Sequence, residues 1–351
     1  MDVAFNIISV KRISVKTNTP TLQHIAEACG VTVMTVNRAL RPGSSVAPGT
    51  RAAVLAAVER LGYYQRPNLG RPRSRSTTPR RAVEVILGDH RQASFLQALL
   101  AAIIQELGAR NHDCVLRSAA SGFLALSESM RADREVPTLV LGWLPTRQLE
   151  VVLEVRPNAI LVDHTGDPLI NLPYHSIGFD NIEAARLATR HLLDTGRRRV
   201  LLLGGFAGHY FTREVAQGHR EALAERGLAA DPALIIETDC SLASAAAAVA
   251  AALDGGLGFD AVLTNDDMAV AVLGSLRQRG LAVPGDIAVA GIDGLPVGAF
   301  LCPTLTTASL DYAQLGRLAA ALVCDEAELP SAPLRRRLLP QLLIRDSTTE
   351  S

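Results

Sequence analysis

The chain has 351 residues, 48% of them hydrophobic, enough to bury a large core and to form more than one globular domain. Its five cysteines (Cys29, Cys114, Cys240, Cys302, Cys324) are dispersed, with no CxxC pair and no histidine cluster, which excludes a disulfide framework and a zinc site and fits a reducing cytoplasm. The formal net charge of zero hides an asymmetry: residues 1–81 hold 13 Lys+Arg against 3 Asp+Glu, a net of +10, and the remainder carries −10, so the basic head has the electrostatic footprint that phosphate binding needs.

The opening MDVAFNIISVKRISV has a short apolar run followed by Lys11 and Arg12, the wrong order for a signal peptide and too short to span a bilayer. Residues 1–19 are expected to be a disordered extension. The next stretch, TLQHIAEACGVTVMTVNRAL (Thr21 to Leu40), places two helical patterns across a glycine at the spacing of a helix-turn-helix, a unit that reads DNA. Leu22, Ile25 and Ala26 share one face of the first helix, and Val31, Val36 and Leu40 can close over them. Gly30 falls where the chain must turn, a position that calls for positive φ or close backbone approach. The outward positions of the second helix are Thr32, Val33, Met34, Thr35, Asn37 and Arg38, groups suited to phosphate oxygens, thymine methyls and guanine edges. After the loop RPGSSVAPG, a third helix is predicted from about Thr50 to Leu61, with Val54, Leu55, Val58 and Leu61 facing inward. The head thus spans residues 20–64. Residues 65–81, QRPNLGRPRSRSTTPRR, contain six arginines, three prolines and no acid, a composition that builds no core and marks a linker.

From Ala82 onward, short apolar runs (VEVILG, TLVLGWL, AILVD, RVLLLGG, DAVLTND, IAVAGID) alternate with amphipathic helices. Strands buried on both faces read this way, and strand-helix alternation implies right-handed crossovers and parallel sheets. Six or more units in about 270 residues predict an α/β core of two Rossmann-like lobes rather than one very wide sheet. Ligands of such folds sit beyond the carboxyl ends of the strands, which places a site in the cleft near Asp89, Asp163, Asn265, Asp266 and Asp293.

The head, followed by VAPGTRAAVLAAVERLGYY and a Pro-Asn pair, resembles the LacI/GalR family of bacterial transcription regulators. The resemblance continues in order through DNIEAARLATRHLLDTGRRRVLLLGG, TNDDMAVAVLGSLRQRGLAVPGDIAVAGIDG, PTLTTASLDYAQLGRLAAALV and LLPQLLIRDST, covering about residues 21 to 348. It implies a homodimer whose heads read the half-sites of a pseudo-palindromic operator in double-stranded DNA. It also implies a periplasmic-binding-protein-like core that senses a small-molecule effector such as a sugar, with no cofactor, no metal and no membrane partner. The N-lobe would be about 82–179 plus 309–327, and the C-lobe about 180–308 plus 328–351. Effector binding would couple to DNA binding reciprocally through lobe orientation.

Carried over residue by residue, the resemblance places Val33 and Met34 at the specificity-setting positions of the recognition helix and Arg38 one turn later. Base contacts are therefore expected from Val33, Met34 and Arg38, and phosphate contacts from Thr21, Thr32, Thr35 and Asn37. The alternative is that Val33 packs inward and Met34 alone is exposed. The linker departs from the family: Pro67 and Asn68 are in place, but Arg71 and Ser74 fall where an alanine and a minor-groove leucine usually stand, and Pro72 costs about 3 kcal/mol in a helix interior. Gly70-Arg71-Pro72-Arg73 instead resembles an AT-hook core, which would lay Arg71, Arg73 and Arg75 into the minor groove beside Asn68; the other reading is a basic tether on phosphates. In the cleft, Asn265 and Asp293 match the family's effector ligands, followed by Asp89, Phe95 and Asp163, although strand-end aspartates also cap helices. The arginine that sugar-binding members carry three residues before the glycine of GHREAL is Val215 here, with Arg213 the nearest substitute.

Two rival classes carry less weight. Gly204, Gly205 and Gly208 follow a strand but lack the GxGxxG spacing and the acidic partner of a nicotinamide-cofactor enzyme. A periplasmic-type solute-binding protein would share the core but not the basic head.

Overall fold

The computed structural model describes residues 21–40, 46–61, 81–88, 93–119, 122–133, 135–164, 173–325, 329–330 and 332–349. The expectations for residues 1–19, for Asn68, Arg71, Arg73 and Arg75 of the linker, and for Asp89 lie outside the described residues. The chain divides into two compact units, Met1–Pro79 and Arg80–Ser351.

The first unit holds three helices: α1 (Leu22–Cys29), α2 (Val33–Ala39) and α3 (Pro48–Leu61). Thr21 caps α1, its amide donating to His24 Nδ1 at 3.2 Å, and Gly30 ends the helix at φ +62°, the left-handed conformation that glycine adopts without steric cost. Thr32 caps α2, its Oγ1 accepting from the Thr35 amide at 3.2 Å. Ile25, Ala26, Val36, Ala39, Val54 and Ala57 form the core, with Leu22, Val31, Leu40, Val58 and Leu61 packed around it. Two details differ from the sequence reading. The third helix starts two residues earlier, at Pro48, whose fixed φ suits a first helical position. Leu55 points outward, 49% exposed, because the 54, 57, 58, 61 stripe leaves position 55 about 100° off the buried face.

The second unit contains two six-stranded sheets. The N-lobe sheet takes β1 (Arg81–Leu87), β2 (His112–Ser118), β3 (Thr138–Leu141), β4 (Ile160–Val162), β5 (His175–Phe179) and β11 (Arg335–Leu338), all parallel, in the order β11-β5-β4-β3-β1-β2. The C-lobe sheet takes β6 (Val200–Gly204), β7 (Ile235–Glu237), β8 (Ala261–Leu263), β9 (Ala288–Asp293), β10 (Thr306–Ser309) and β12 (Gln341–Leu343), in the order β12-β10-β9-β8-β6-β7, antiparallel only between β10 and β12. The central strands are buried on both faces: every residue of β3, β6, β8 and β9 is sequestered, as parallel strands covered by helices on both sides must be.

Helices α4 (Ala93–Ala109), α5 (Phe123–Ala132), α6 (Thr146–Val155) and α11 (Tyr312–Cys324) cover the N-lobe sheet; α7 (Asn181–Asp194), α8 (Tyr210–Glu225), α9 (Leu242–Asp254) and α10 (Asp266–Gln278) cover the C-lobe sheet. The chain crosses between lobes three times: after β5, after β10, and between β11 and β12. The last crossing falls later than the boundary expected near residue 328. Strand β11 adds to the N-lobe edge, with Arg335 in register with Ser176, before β12 returns to the C-lobe.

Candidate functional site

On the head, helix α2 presents Met34 fully to one side, 68% exposed, with Thr32 and Arg38 exposed and Thr35 and Asn37 half-buried. Val33 is half-buried against the head core, so of the two apolar positions Met34 stands clear and Val33 supports it. Thr32 Oγ1 and Thr35 Oγ1 lie 2.9 Å apart, which fixes both hydroxyls at the helix N-terminus, where backbone N–H groups favour an anion. Arg51 of α3 donates through Nε to the Ala39 carbonyl at 3.0 Å and so ties the C-terminal end of α2 to the third helix. Sequence reasoning missed that brace, since only the fold brings residues 39 and 51 together.

In the core, several strand-end acids lie close enough to influence one another electrostatically. Asp163 follows β4 in the left-handed region (φ +56°) and is buried, and burial pushes its carboxyl up to about 7, against the lowering hydrogen bond from Tyr210 and with a smaller upward push from Glu214. Asp293 ends β9 at φ +122° and is likewise buried; desolvation, then the charges of Asp266, Asp267 and Asp163, holds its carboxyl well above the usual range. These mutual electrostatic effects place the acids in one neighbourhood. Asn265 is buried and caps α10, its Oδ1 accepting from the Met268 amide at 2.8 Å, so what it offers a ligand is its amide nitrogen. Phe95 is buried in an aromatic cluster, with ring centroids 5.6 Å from Tyr312 and 6.3 Å from Phe179. The Tyr312 hydroxyl donates to the Asp293 carbonyl at 2.9 Å.

Asp266 is structural in this arrangement. It accepts from Thr307 Oγ1 and from the Leu295 amide, both at 2.7 Å, pinning the loop after β9 to β10. Arg213 does not join the acids. It is exposed, donates through Nη1 to the Gly208 carbonyl at 3.3 Å, and lines a separate cavity of about 370 Å³ between α8 and β7 with Arg220. Val215, in the position where an arginine was expected, is buried in the C-lobe core. The residues that sequence reasoning missed are aromatic: Trp143 and His164 of the N-lobe meet Phe206, His209 and Tyr210 of the C-lobe. The cluster HYF at 209–211 was the available signal. Among the described residues, no group of three His, Cys, Asp or Glu side chains is placed to hold a metal ion.

The raised Asp163 carboxyl has a measurable consequence. Between about pH 4 and pH 7 the folded chain keeps a proton there that the unfolded chain has released, so this group favours folding at the acid end and its contribution is lost as pH rises through about 7. Asp163→Asn cannot titrate. Thermal melts are expected to show the variant gaining on the parent from about pH 5 to about pH 8; a difference that stays constant with pH would refute the assignment.

Two family models match the chain: bacterial regulatory proteins, lacI family, over residues 21–68, and a periplasmic binding protein-like domain over residues 189–348. The HTH-type transcriptional regulator CelR of Thermobifida fusca is 30% identical over 346 residues, covering 93% of this chain and 98% of that protein. GalS of Salmonella typhimurium is 29% identical over 317 residues, covering 88% of this chain and 90% of its own length. Among solved structures, a transcriptional regulator CelR-cellobiose complex superposes with a TM-score of 0.68 at 29% identity, covering 93% of this chain and 99% of that one. A lac repressor dimer bound to operator and the anti-inducer ONPF shares the fold with a TM-score of 0.68 at 23% identity.

Proposed function

The chain belongs to the LacI family of bacterial regulatory proteins and is a DNA-binding transcription regulator, not an enzyme; from that premise we propose that it is a repressor whose grip on its operator is set by a sugar bound in the core cleft. The observation that carries the DNA half is the outward face of α2, where an exposed methionine stands in the first turn behind a threonine cap and an exposed arginine stands one turn later. In this reading Met34 contacts thymine methyls, Val33 buttresses it, and Arg38 reads a guanine edge. Thr21, Thr32, Thr35 and Asn37 hold phosphates, and Asn68, Arg71, Arg73 and Arg75 follow the minor groove.

In the sensor half, Asp163, Asn265 and Asp293 take sugar hydroxyls, Asp89 is a further ligand, and Phe95 closes the apolar side. The sugar complex of the CelR relative supports this. The protein acts as a homodimer in the bacterial cytoplasm. Val115 and Leu116 on the edge strand β2 and Ile104 on α4 are exposed apolar groups that a second copy would cover, and no described helix is long and apolar enough to cross a membrane.

Selection of the full chain on a random pool of duplexes tests the DNA reading. A two-fold symmetric sequence is expected, bound more weakly as salt rises. Arg38→Ala is expected to cost roughly 1–3 kcal/mol and to relax preference at one base pair per half-site. Binding without salt dependence, or unchanged preference in the variant, contradicts the assignment. For the sensor, a panel of neutral sugars is screened by thermal shift, where a ligand at 100 times its Kd stabilises by about 2.7 kcal/mol.

A further inference from the structure

Tyr210 is the first residue of α8, on the C-lobe, yet its hydroxyl reaches the N-lobe. It lies 3.1 Å from Asp163 Oδ2 and also contacts the Asp163 carbonyl oxygen. The ring is buried, stacked on His209 with centroids 4.6 Å apart and packed 5.0 Å from His164. Two further contacts join the lobes on the same helix and the loop before it. Arg337 of β11 donates to Glu214 Oε1 at 3.2 Å, and Trp143 packs edge-on against Phe206 at 5.3 Å. Asp163 is therefore engaged from the opposite lobe by a hydroxyl donor.

We propose that Tyr210 is a resident competitor for the effector: its hydroxyl occupies Asp163 in place of a ligand hydroxyl, holds the lobes together in the sugar-free state, and must be displaced when the sugar binds. The inference rests on the reading of Asp163 as an effector ligand. The chemistry favours displacement, because a phenol has one proton to give and Asp163 Oδ1 is buried without a hydrogen-bond partner. Two adjacent hydroxyls of a polyol can serve both carboxylate oxygens, which Tyr210 cannot. The same geometry selects donors, so vicinal diols compete for this position and carboxylates or phosphates do not.

Trp143 is the only tryptophan of the chain and stands at the lobe boundary, so its fluorescence reports lobe separation directly. Tyr210→Phe keeps the ring and its stacking and deletes the hydroxyl. In the full chain without sugar, the variant is expected to show red-shifted Trp143 emission and stronger acrylamide quenching, with unchanged far-ultraviolet circular dichroism. Each neutral sugar that stabilises the parent should bind the variant with a Kd lower by roughly threefold or more, since no resident donor has to leave. Emission and quenching identical to the parent would overturn the latch even if sugars bind, and weaker sugar binding by the variant would make Tyr210 a ligand contact instead. If no sugar binds either protein, the sugar-free emission still decides the latch, and the effector reading alone fails.

Discussion

Glu84→Gln is expected to destabilise the core unit by about 3–5 kcal/mol, because it strands a guanidinium in the N-lobe interior. Glu84 and Arg156 are both almost fully buried, and Arg156 Nη2 lies 3.5 Å from Glu84 Oε2. The guanidinium is otherwise engaged by neutral acceptors alone: Nη1 donates to the Met130 carbonyl at 2.7 Å and Nε to Thr138 Oγ1 at 3.2 Å. Arg117 Nε approaches Glu84 Oε1 at 2.5 Å from the strand edge but without an aligned hydrogen bond, so its contribution is mainly Coulombic. Glutamine preserves the shape and removes the only carboxylate of the group. Arg117 is partly exposed and can turn to water; Arg156 cannot. The melting midpoint should fall by roughly 10 °C and respond little to salt. The double variant Glu84→Met with Arg156→Met should recover most of the loss, as apolar groups of similar volume replace a buried pair at little cost. A single variant within 1 °C of the parent would mean that water reaches this network.

This network shows which parts of the molecule could be read before folding and which could not. Glu84 and Arg156 stand 72 residues apart and become partners only because β1 pairs with β3, which sets Glu84 beside Thr138, the residue to which Arg156 donates from the end of α6. Local signals served well where the physics is local: the glycine turn at Gly30, the threonine cap of α2, and the six continuous apolar runs that became central strands. Edge strands are harder. Strand β11, RRRL, buries one residue of four and has no apolar run to betray it, so the last crossing was placed too early. Asp163, Asn265 and Asp293 could be placed beyond strand ends because each closes an apolar run, after β4, after β8 and at the end of β9. Tyr210 and Trp143 could not be read in this way, since their roles depend on how one lobe closes on the other. Arg213 failed for a related reason: one helical position decides between the cleft and the outer groove, and helix phase was not fixed by the pattern of HYFTRE.

Helix phase also underlies the second large effect, which is expected for Gly218→Ala. Alanine in a helix interior ordinarily gains up to about 1 kcal/mol over glycine. At Gly218 of α8 an added Cβ would stand 2.0 Å from the Ile182 carbonyl oxygen and 3.1 Å from Ala185 Cβ, both on α7. The obstacle at Ile182 is backbone, so the two helices must separate, and overpacking of this kind costs roughly 1–3 kcal/mol or more. The loss should reach beyond stability. Helix α8 carries Tyr210 and Glu214 two turns and one turn before the clash, and Asn181 at the start of α7 donates to Glu214 Oε2 at 2.9 Å. Moving α8 off α7 therefore withdraws the side chains that meet the N-lobe, and Trp143 emission should shift red along with the drop in melting midpoint. Gly274→Ala is the matched control: Gly274 is exposed on α10, a Cβ there meets nothing within 4 Å, and the same substitution should stabilise by a few tenths to about 1 kcal/mol without moving Trp143. Opposite signs for one chemical change at two helical glycines follow from close approach in one place and open space in the other. Equal effects at the two positions would show that α7 and α8 do not pack through Gly218.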